Sequence, residues 1–518
     1  MIGTRIQPRI RSSKPVDTRK SIMRYLLVCL LLGIGSVSLL CAYLGIPLEL
    51  VMAALAGLAV AAYFVIRFPE WFLAAALFAP QWKTFWIFKS LDKIGDLTVI
   101  MLLCLAAGLI WRYLMPAGHS HSWSLQTILN GQSAPLLAFL AFAAIVALSY
   151  TYTDAPSYGA SKLFRFLLIG SLLLISPFFL IMNESNFRRF ALIFVGFSAA
   201  TAMQLVFALE FRVHDDSVDV TRIGAGWLMG MSIILVLFYP LARSRRQQRA
   251  IYLFVLPLLI AGLVASVARG PMVALFLVSL LGLAVWLKQG RLRAHTAMGL
   301  LILTGIGFAG SYYALSRADL DKYTAKLGEF ETLASRGSSS GSAGKRLNFY
   351  RATLPAIADH PVLGKGVGSW AVFYYGNDSR NYPHNLLLEI AFEEGLVGLG
   401  AFFVLLFLVG TSTVWLLRAS KSQFLALGLM VLYCVTTGLF SGDLDDNRVL
   451  WIWVGMTLAI CRNVRLQMLA GSFARRFSCQ PAAVHLPSDG VSAYSARSAG
   501  AGTPIPRRSR AWREKFVY

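Results

Sequence analysis

Apolar runs of about twenty residues recur almost from one end of the chain to the other, separated by short polar connections. A run of roughly 18 or more apolar residues with few charges is long enough to cross a bilayer as a helix. The pattern predicts an all-α polytopic membrane protein with about 12–14 transmembrane helices. The spans fall near 25–44, 48–66, 70–88, 96–114, 134–151, 161–182, 190–210, 224–241, 250–267, 271–287, 296–315, 396–417, 422–440 and 448–463. The third is the weakest, because Pro80, Gln81 and Lys83 interrupt it. The first run follows a basic N-terminus, as in a signal peptide, but it is too long and no small-residue cleavage site closes it, so an uncleaved span is expected.

The runs divide the chain into a basic N-terminus (1–24), a helical bundle (25–315), one large polar loop with short helices (316–395), C-terminal membrane helices (396–463) and a basic tail (464–518). The tail is rich in Ser, Ala, Pro and Arg from about 471 and is expected to be disordered. Composition agrees with this class, with 57% hydrophobic and 14% charged residues against roughly 45–50% and 25% in soluble domains. A formal charge of +23 would suit nucleic acid, but the positives gather at Arg5 to Arg24, Arg243 to Arg249, Lys288 to Arg293 and Arg462 to Lys515. Short basic segments beside apolar runs set membrane orientation and can touch anionic lipid. No nucleic-acid partner is expected. Alternating the spans puts every strongly basic loop and both termini in the cytoplasm and loop 316–395 outside. The six cysteines are scattered and form no CxxC, so neither a disulfide framework nor a zinc site is indicated.

Loop 316–395 begins with a polar helical pattern, Ala318 to Leu333, and continues into the Gly/Ser-rich stretch Arg336–Arg346, which reads as a flexible linker. Gly344-Lys345 is not a phosphate loop, because Ser339 replaces the leading glycine and Arg346 the metal-binding hydroxyl. Helical character returns over Leu347–Ala358, and His360-Pro361 and Gly364-Lys365-Gly366-Val367-Gly368 follow as a turn-rich bend.

Candidate chemistry collects at the outer membrane boundary. Arg222 precedes a span, Arg269 lies in a tight turn between two apolar runs, and Lys162 and Arg165 sit near the outer end of another. Arginines are disfavoured on the outer side, and membrane-embedded cations face a cavity or a partner, so these groups suggest an anion site suited to phosphate oxygens. His384 can serve as a base, since imidazole titrates near neutral pH. Asn385, Glu389 and Glu393 share one face at helical spacing, with His384 displaced by about 100°. The glutamates are therefore expected to brace the loop or pair with arginines. No HExxH occurs. Asp443-x-Asp445-x-Asn447 begins like a calcium loop but has Arg448 and Val454 where glycine and glutamate belong, so no metal is expected. The acidic cluster is instead expected to partner arginines.

The ordered series Arg346-x-x-x-Tyr350, His360-Pro361-x-x-Gly364-x-Gly366-x-Gly368 and Pro383-His384-Asn385-x-x-Leu388-Glu389-x-x-x-Glu393-x-Gly395-x-x-Gly398 resembles the O-antigen ligase/polymerase family of bacteria. The Arg269-Gly270-Pro271 turn and the placement of Arg222 are similar to that family as well. The resemblance implies a metal-independent, inverting glycosyltransferase at the periplasmic face of the inner membrane, with no cofactor. It implies a glycan donor on undecaprenyl pyrophosphate and, as acceptor, a sugar hydroxyl of the lipid A–core (ligase) or of another glycan chain, O-antigen or exopolysaccharide (polymerase). Arg222, Arg269 and His384 would be catalytic, and Arg346, Arg351, Lys162, Arg165, Asn385, Glu389 and Glu393 would bind substrate. A transporter using the same cations is the contrasting reading. It would place charges at the bilayer midplane, whereas these lie at the outer ends.

Overall fold

A computed structural model describes residues 63–82, 96–114, 131–210, 219–266, 268–290, 342–419 and 424–478. The expected spans at 25–44 and 296–315, most of 48–66, and the helix at 318–333 lie outside these residues. The described helices are α1 (Pro69–Trp82), α2 (Leu97–Leu114), α3 (Ser133–Ser149), α4 (Pro156–Arg165), α5 (Ser171–Leu180), α6 (Glu184–Glu210), α7 (Asp219–Phe238), α8 (Arg245–Ala250), α9 (Leu256–Ala265) and α10 (Arg269–Lys288). They continue with α11 (Ser342–Asp359), α12 (Trp370–Tyr375), α13 (Leu386–Glu393), α14 (Gly395–Arg418), α15 (Leu425–Gly438) and α16 (Arg448–Ser478). Among the described residues there is no strand, and helices satisfy their own backbone groups as lipid requires.

The chain is an all-α polytopic membrane protein. Among the described residues seven segments are long and apolar enough to cross a bilayer: Ser133–Tyr152, Pro156–Leu180, Glu184–Val206, Arg245–Ala265, Arg269–Lys288, Gly395–Arg418 and Arg448–Leu469. Parts of α2, α7 and α15 form shorter apolar helices. Two expectations change. Helix α11 begins at Ser342, so the supposed linker has already become helix where Arg346 stands. Helix α16 runs on to Ser478, past the point where a disordered tail was expected. The chain divides by contacts after Met468, and the described part of the second unit is the continuation of this helix over 469–478.

Helix α16 is the inner pillar, with 83% of its span window buried against 28–44% in the other six. Its Trp451 ring packs within 5.2–6.5 Å of Phe139, Phe142, Phe166 and Phe402. Trp453 packs against Phe190 and Phe194 and donates its Nε1–H to the Met231 sulfur at 3.3 Å. A π-helical turn, Phe166–Gly170, links α4 to α5, and a Cβ on Gly170 would stand 3.2 Å from the Trp451 ring. Such a turn re-aims side chains within a continuing helix, and here the missing side chain makes room for the indole.

The polar motifs gather at one end of this bundle. The Val367 N–H donates to Ser149 Oγ at 3.1 Å, joining the loop after α11 to the end of α3. Arg465, near the far end of the α16 span, donates to the Gly131 carbonyl just before α3 begins. Helix α3 therefore spans the two ends. The His-Pro-Gly series is a backbone clasp: the Lys365 and Gly366 N–H groups donate to the Phe392 and Glu393 carbonyls at 2.8 Å, and Leu396 N–H donates to Pro361 at 2.8 Å. Gly366 has φ +90°, and a Cβ there would lie 2.6 Å from Thr153 Cα and 2.7 Å from the Ser149 carbonyl. Left-handed backbone costs other residues about 1–2 kcal/mol before any clash. Gly366→Ala is therefore expected to destabilise the protein by roughly 1–3 kcal/mol, read as a lowered melting temperature of purified protein in detergent. An unchanged melt would show that the clasp yields freely.

Candidate active site

Helix α13 begins where Asn385, in extended backbone, accepts the N–H groups of Leu387 and Leu388 at 3.1 and 3.2 Å. Asparagine is among the best N-caps because its side-chain oxygen replaces a missing helical acceptor. Asn385 is thus a cap and not a residue on the helix face, and His384 lies outside the helix altogether. His384 has φ +56°, the one left-handed non-glycine residue among those described. Its carbonyl accepts from Tyr350 Oη at 3.3 Å. Its ring lies parallel to Phe349 at 6.1 Å and edge-on to Tyr382 at 4.6 Å. Its Nδ1 is buried and has no protein partner. Burial, with the charge of Arg346 adding to it and Asp443 opposing, lowers the imidazole pKa to about 4. The resting ring is neutral at physiological pH.

Arg346 stands on α11 one turn before Tyr350. Burial lowers its pKa, Tyr350 and Tyr382 act against this, and the Arg269 charge adds to it. Arg269 opens α10, and a Cβ on the neighbouring Gly270 would lie 2.8 Å from Phe440 Cβ. The Tyr350 hydroxyl reaches the Leu439 carbonyl next door at 3.5 Å. Loop 439–440 therefore brings Arg269, Arg346 and His384 into one neighbourhood. Arg222 lies on the face of α7 that meets the Arg269 turn, since Gly226, four residues on, would place a Cβ 2.8 Å from Ala268 Cβ and 2.9 Å from Ser266 Oγ. Arg351 is exposed and off the Arg346–Tyr350 face.

Lys162 and Arg165 do not extend this cation group. Lys162 is 0% exposed and its ammonium contacts Glu389 and, at 2.6 Å, Glu393. A buried ammonium needs such partners, because desolvation of an isolated charge costs several kcal/mol. The glutamates share a helix face as expected, but the cation they meet is Lys162. Burial raises the pKa of Glu389, Glu393 and neighbouring Glu394, with Lys162 opposing in each case. Arg165 pairs with Asp445 at 3.1 Å.

The acidic cluster does partner arginines. Arg380 meets Asp446 at 2.6 Å and the Tyr382 hydroxyl donates to the same carboxylate at 3.0 Å. Asp443 accepts from Tyr158 Oη at 2.5 Å and from the Asp446 N–H at 2.6 Å. Asp443, Asp445 and Asp446 lie within 4.8 Å of one another, the one such grouping among the described residues. Each already accepts from protein donors.

Against this geometry, residues 253–403 match the family described as O-antigen ligase. The chain carries a domain of the O-antigen ligase/polymerase family. No curated protein matches it. The matched stretch holds Arg269, Arg346, His384 and the glutamate pair, while Arg222, Lys162 and the acidic loop lie outside it.

Sequence reasoning missed Phe349, Tyr350 and Tyr382 as the walls of the histidine. Tyr382 two residues before His384, and Tyr350 four after Arg346, were the available signals. It also missed the pairing of Lys162, whose partners lie 227 and 231 residues away. Lys162→Met is expected to lower stability by roughly 3–5 kcal/mol, because it strands buried carboxylates. Adding Glu389→Gln and Glu393→Gln should recover most of the loss. Thermal unfolding of the single and triple variants measures both, and purely additive losses would disprove the coupling.

Proposed function

We propose that this protein transfers a glycan from undecaprenyl pyrophosphate to a sugar hydroxyl at the periplasmic face of a bacterial inner membrane. The acceptor on this reading is the lipid A–core. A second lipid-linked repeat as acceptor would make the same step a polymerisation, and lipid-linked and surface glycan ladders from a deletion strain separate the two. The observation that carries the reading is His384, neutral and with an unpartnered buried Nδ1, beside Arg346 and Arg269 at one end of the bundle.

The acceptor oxygen attacks the anomeric carbon, His384 takes the hydroxyl proton, and the bond from that carbon to the phosphate oxygen breaks. Direct displacement inverts the anomeric centre. Charge develops on the departing pyrophosphate, and arginines already fixed in a partly dry site stabilise it without rearranging. Arg269, Arg346 and Arg222 are assigned that role, so the reaction as proposed needs no metal. A bound pyrophosphate would also offset the Arg346 charge and raise the proton affinity of His384 when the base is needed.

Purified His384→Gln protein supplied with a lipid-linked donor is expected to lose about 10²–10⁴-fold in transfer, and normal transfer would remove the histidine from the mechanism. Arg269→Lys should fail as well if paired N–H contacts to phosphate matter, whereas full activity would mean that charge alone suffices.

The pH dependence follows from the depressed pKa. Between about 4 in the folded protein and roughly 6.5 unfolded, the unfolded chain binds more protons, so His384 stabilises the fold less as pH falls through that window. The acidic limb of kcat/KM, which reports the free enzyme, is expected below pH 6. A limb at the ordinary imidazole value would show that the ring is not desolvated.

A further inference from the structure

At the other end of α14 from His384, a groove of about 620 Å³ opens on the outer surface of the bundle. Phe407, Thr411, Val414 and Arg418 line it from α14, and their spacing puts them on one helix face. Phe407 is 69% exposed and Val414 45%, on a segment long and apolar enough to span a membrane. Gly410 notches this stripe, because a Cβ there would meet nothing within 4 Å.

The stripe ends in two cations. Arg418 closes α14, and Arg465 of α16 also lines the groove. The Arg465 guanidinium lies over the Trp415 ring at 4.7 Å and donates to the Gly131 carbonyl, which fixes it in place. Among the described residues no carboxylate lines the groove.

We propose that this groove binds an anionic phospholipid, with its phosphate between Arg418 and Arg465 and an acyl chain along Phe407 and Val414 into the notch at Gly410. Charge complementarity selects the class of ligand. Two cations with no acid beside them favour a headgroup that brings net negative charge, and a zwitterionic lipid brings its own cation. The apolar stripe selects lipid over a soluble anion, which would leave it unused. A basic residue near the membrane surface strengthens attachment to anionic lipid about fivefold. The site goes beyond the glycan-transfer reading and uses none of the residues assigned to it.

The test is native mass spectrometry of the full chain, delipidated and offered phosphatidylglycerol or phosphatidylcholine at equal concentration. Phosphatidylglycerol should be retained preferentially, and Arg418→Ala should lower that retention about fivefold. Gly410→Leu should lower it by filling the notch, and the open space there lets that variant keep its fold. Equal retention of both lipids would overturn the proposal, as would retention unchanged in both variants. Displacement of phosphatidylglycerol by equimolar inorganic phosphate would also overturn it, leaving an anion site with no lipid component.

Discussion

A lysine ammonium buried to 0% exposure ties this end of the molecule together. Removed from water and lipid headgroups alike, the charge of Lys162 is tolerable only against carboxylates, and both that it meets come from α13. Glu389 also accepts the Leu444 N–H at 3.3 Å, and a backbone N–H of Gly368 reaches Glu393. One membrane-helix charge thus fixes a short helix, the loop between α15 and α16, and the glycine clasp. Glu394, buried beside the pair, adds a third carboxyl to a single ammonium, and burial raises its pKa well above the usual carboxylate range.

The position of His384 follows from that anchorage. With α13 pinned along its glutamate face, its first turn needs a cap, and Asn385 supplies it in extended backbone. The chain can then enter only by turning sharply at the preceding residue, which is left-handed at φ +56°. Such a conformation costs a non-glycine residue on the order of 1–3 kcal/mol and persists where surrounding packing over-determines it. Here buried Pro383 on one side and the cap on the other leave no relaxed alternative, and Phe349 and Tyr382 hold the ring that results. A histidine one position later would be the cap itself, and one position earlier would lie on the loop.

How much of this was legible in the sequence depends on the range of the force concerned. Span existence and limits were readable because lipid demands a local property, a long uncharged run: 396–417 was expected where α14 covers Gly395–Arg418, and 271–287 where α10 covers Arg269–Lys288. The sharing of one face by Glu389 and Glu393 was readable for the same local reason. The identity of their partner was not, because pairing across more than 200 residues leaves no periodic trace. Composition misled at Ser342–Arg346. Gly and Ser weaken a helix by their own propensity, but Phe349, Trp370 and Phe392 form a small second core that holds α11 as a helix regardless. The left-handed histidine was invisible too, since only an observed cap tells which residue must turn.

The distribution of acids bears on the proposed binding of an anion here. Besides Glu394, five carboxylates lie close by, and each has a protein donor or cation in contact: Glu389 and Glu393 take Lys162, Asp445 takes Arg165, and Asp446 takes Arg380 with Tyr382. The fifth, Asp443, accepts from Tyr158. The charged and titratable groups that act on Arg346 are instead two tyrosines and Arg269. The two guanidinium charges oppose each other, and in a partly buried setting like-charge repulsion is poorly screened. On the proposed reading an entering anion would relieve that repulsion, and a pyrophosphate, with oxygens enough for both forks, would relieve it more fully than a single carboxylate. Of these acids Asp443 alone acts on His384, opposing burial and the Arg346 charge, so on the proposed reading the histidine answers mainly to the arginine beside it.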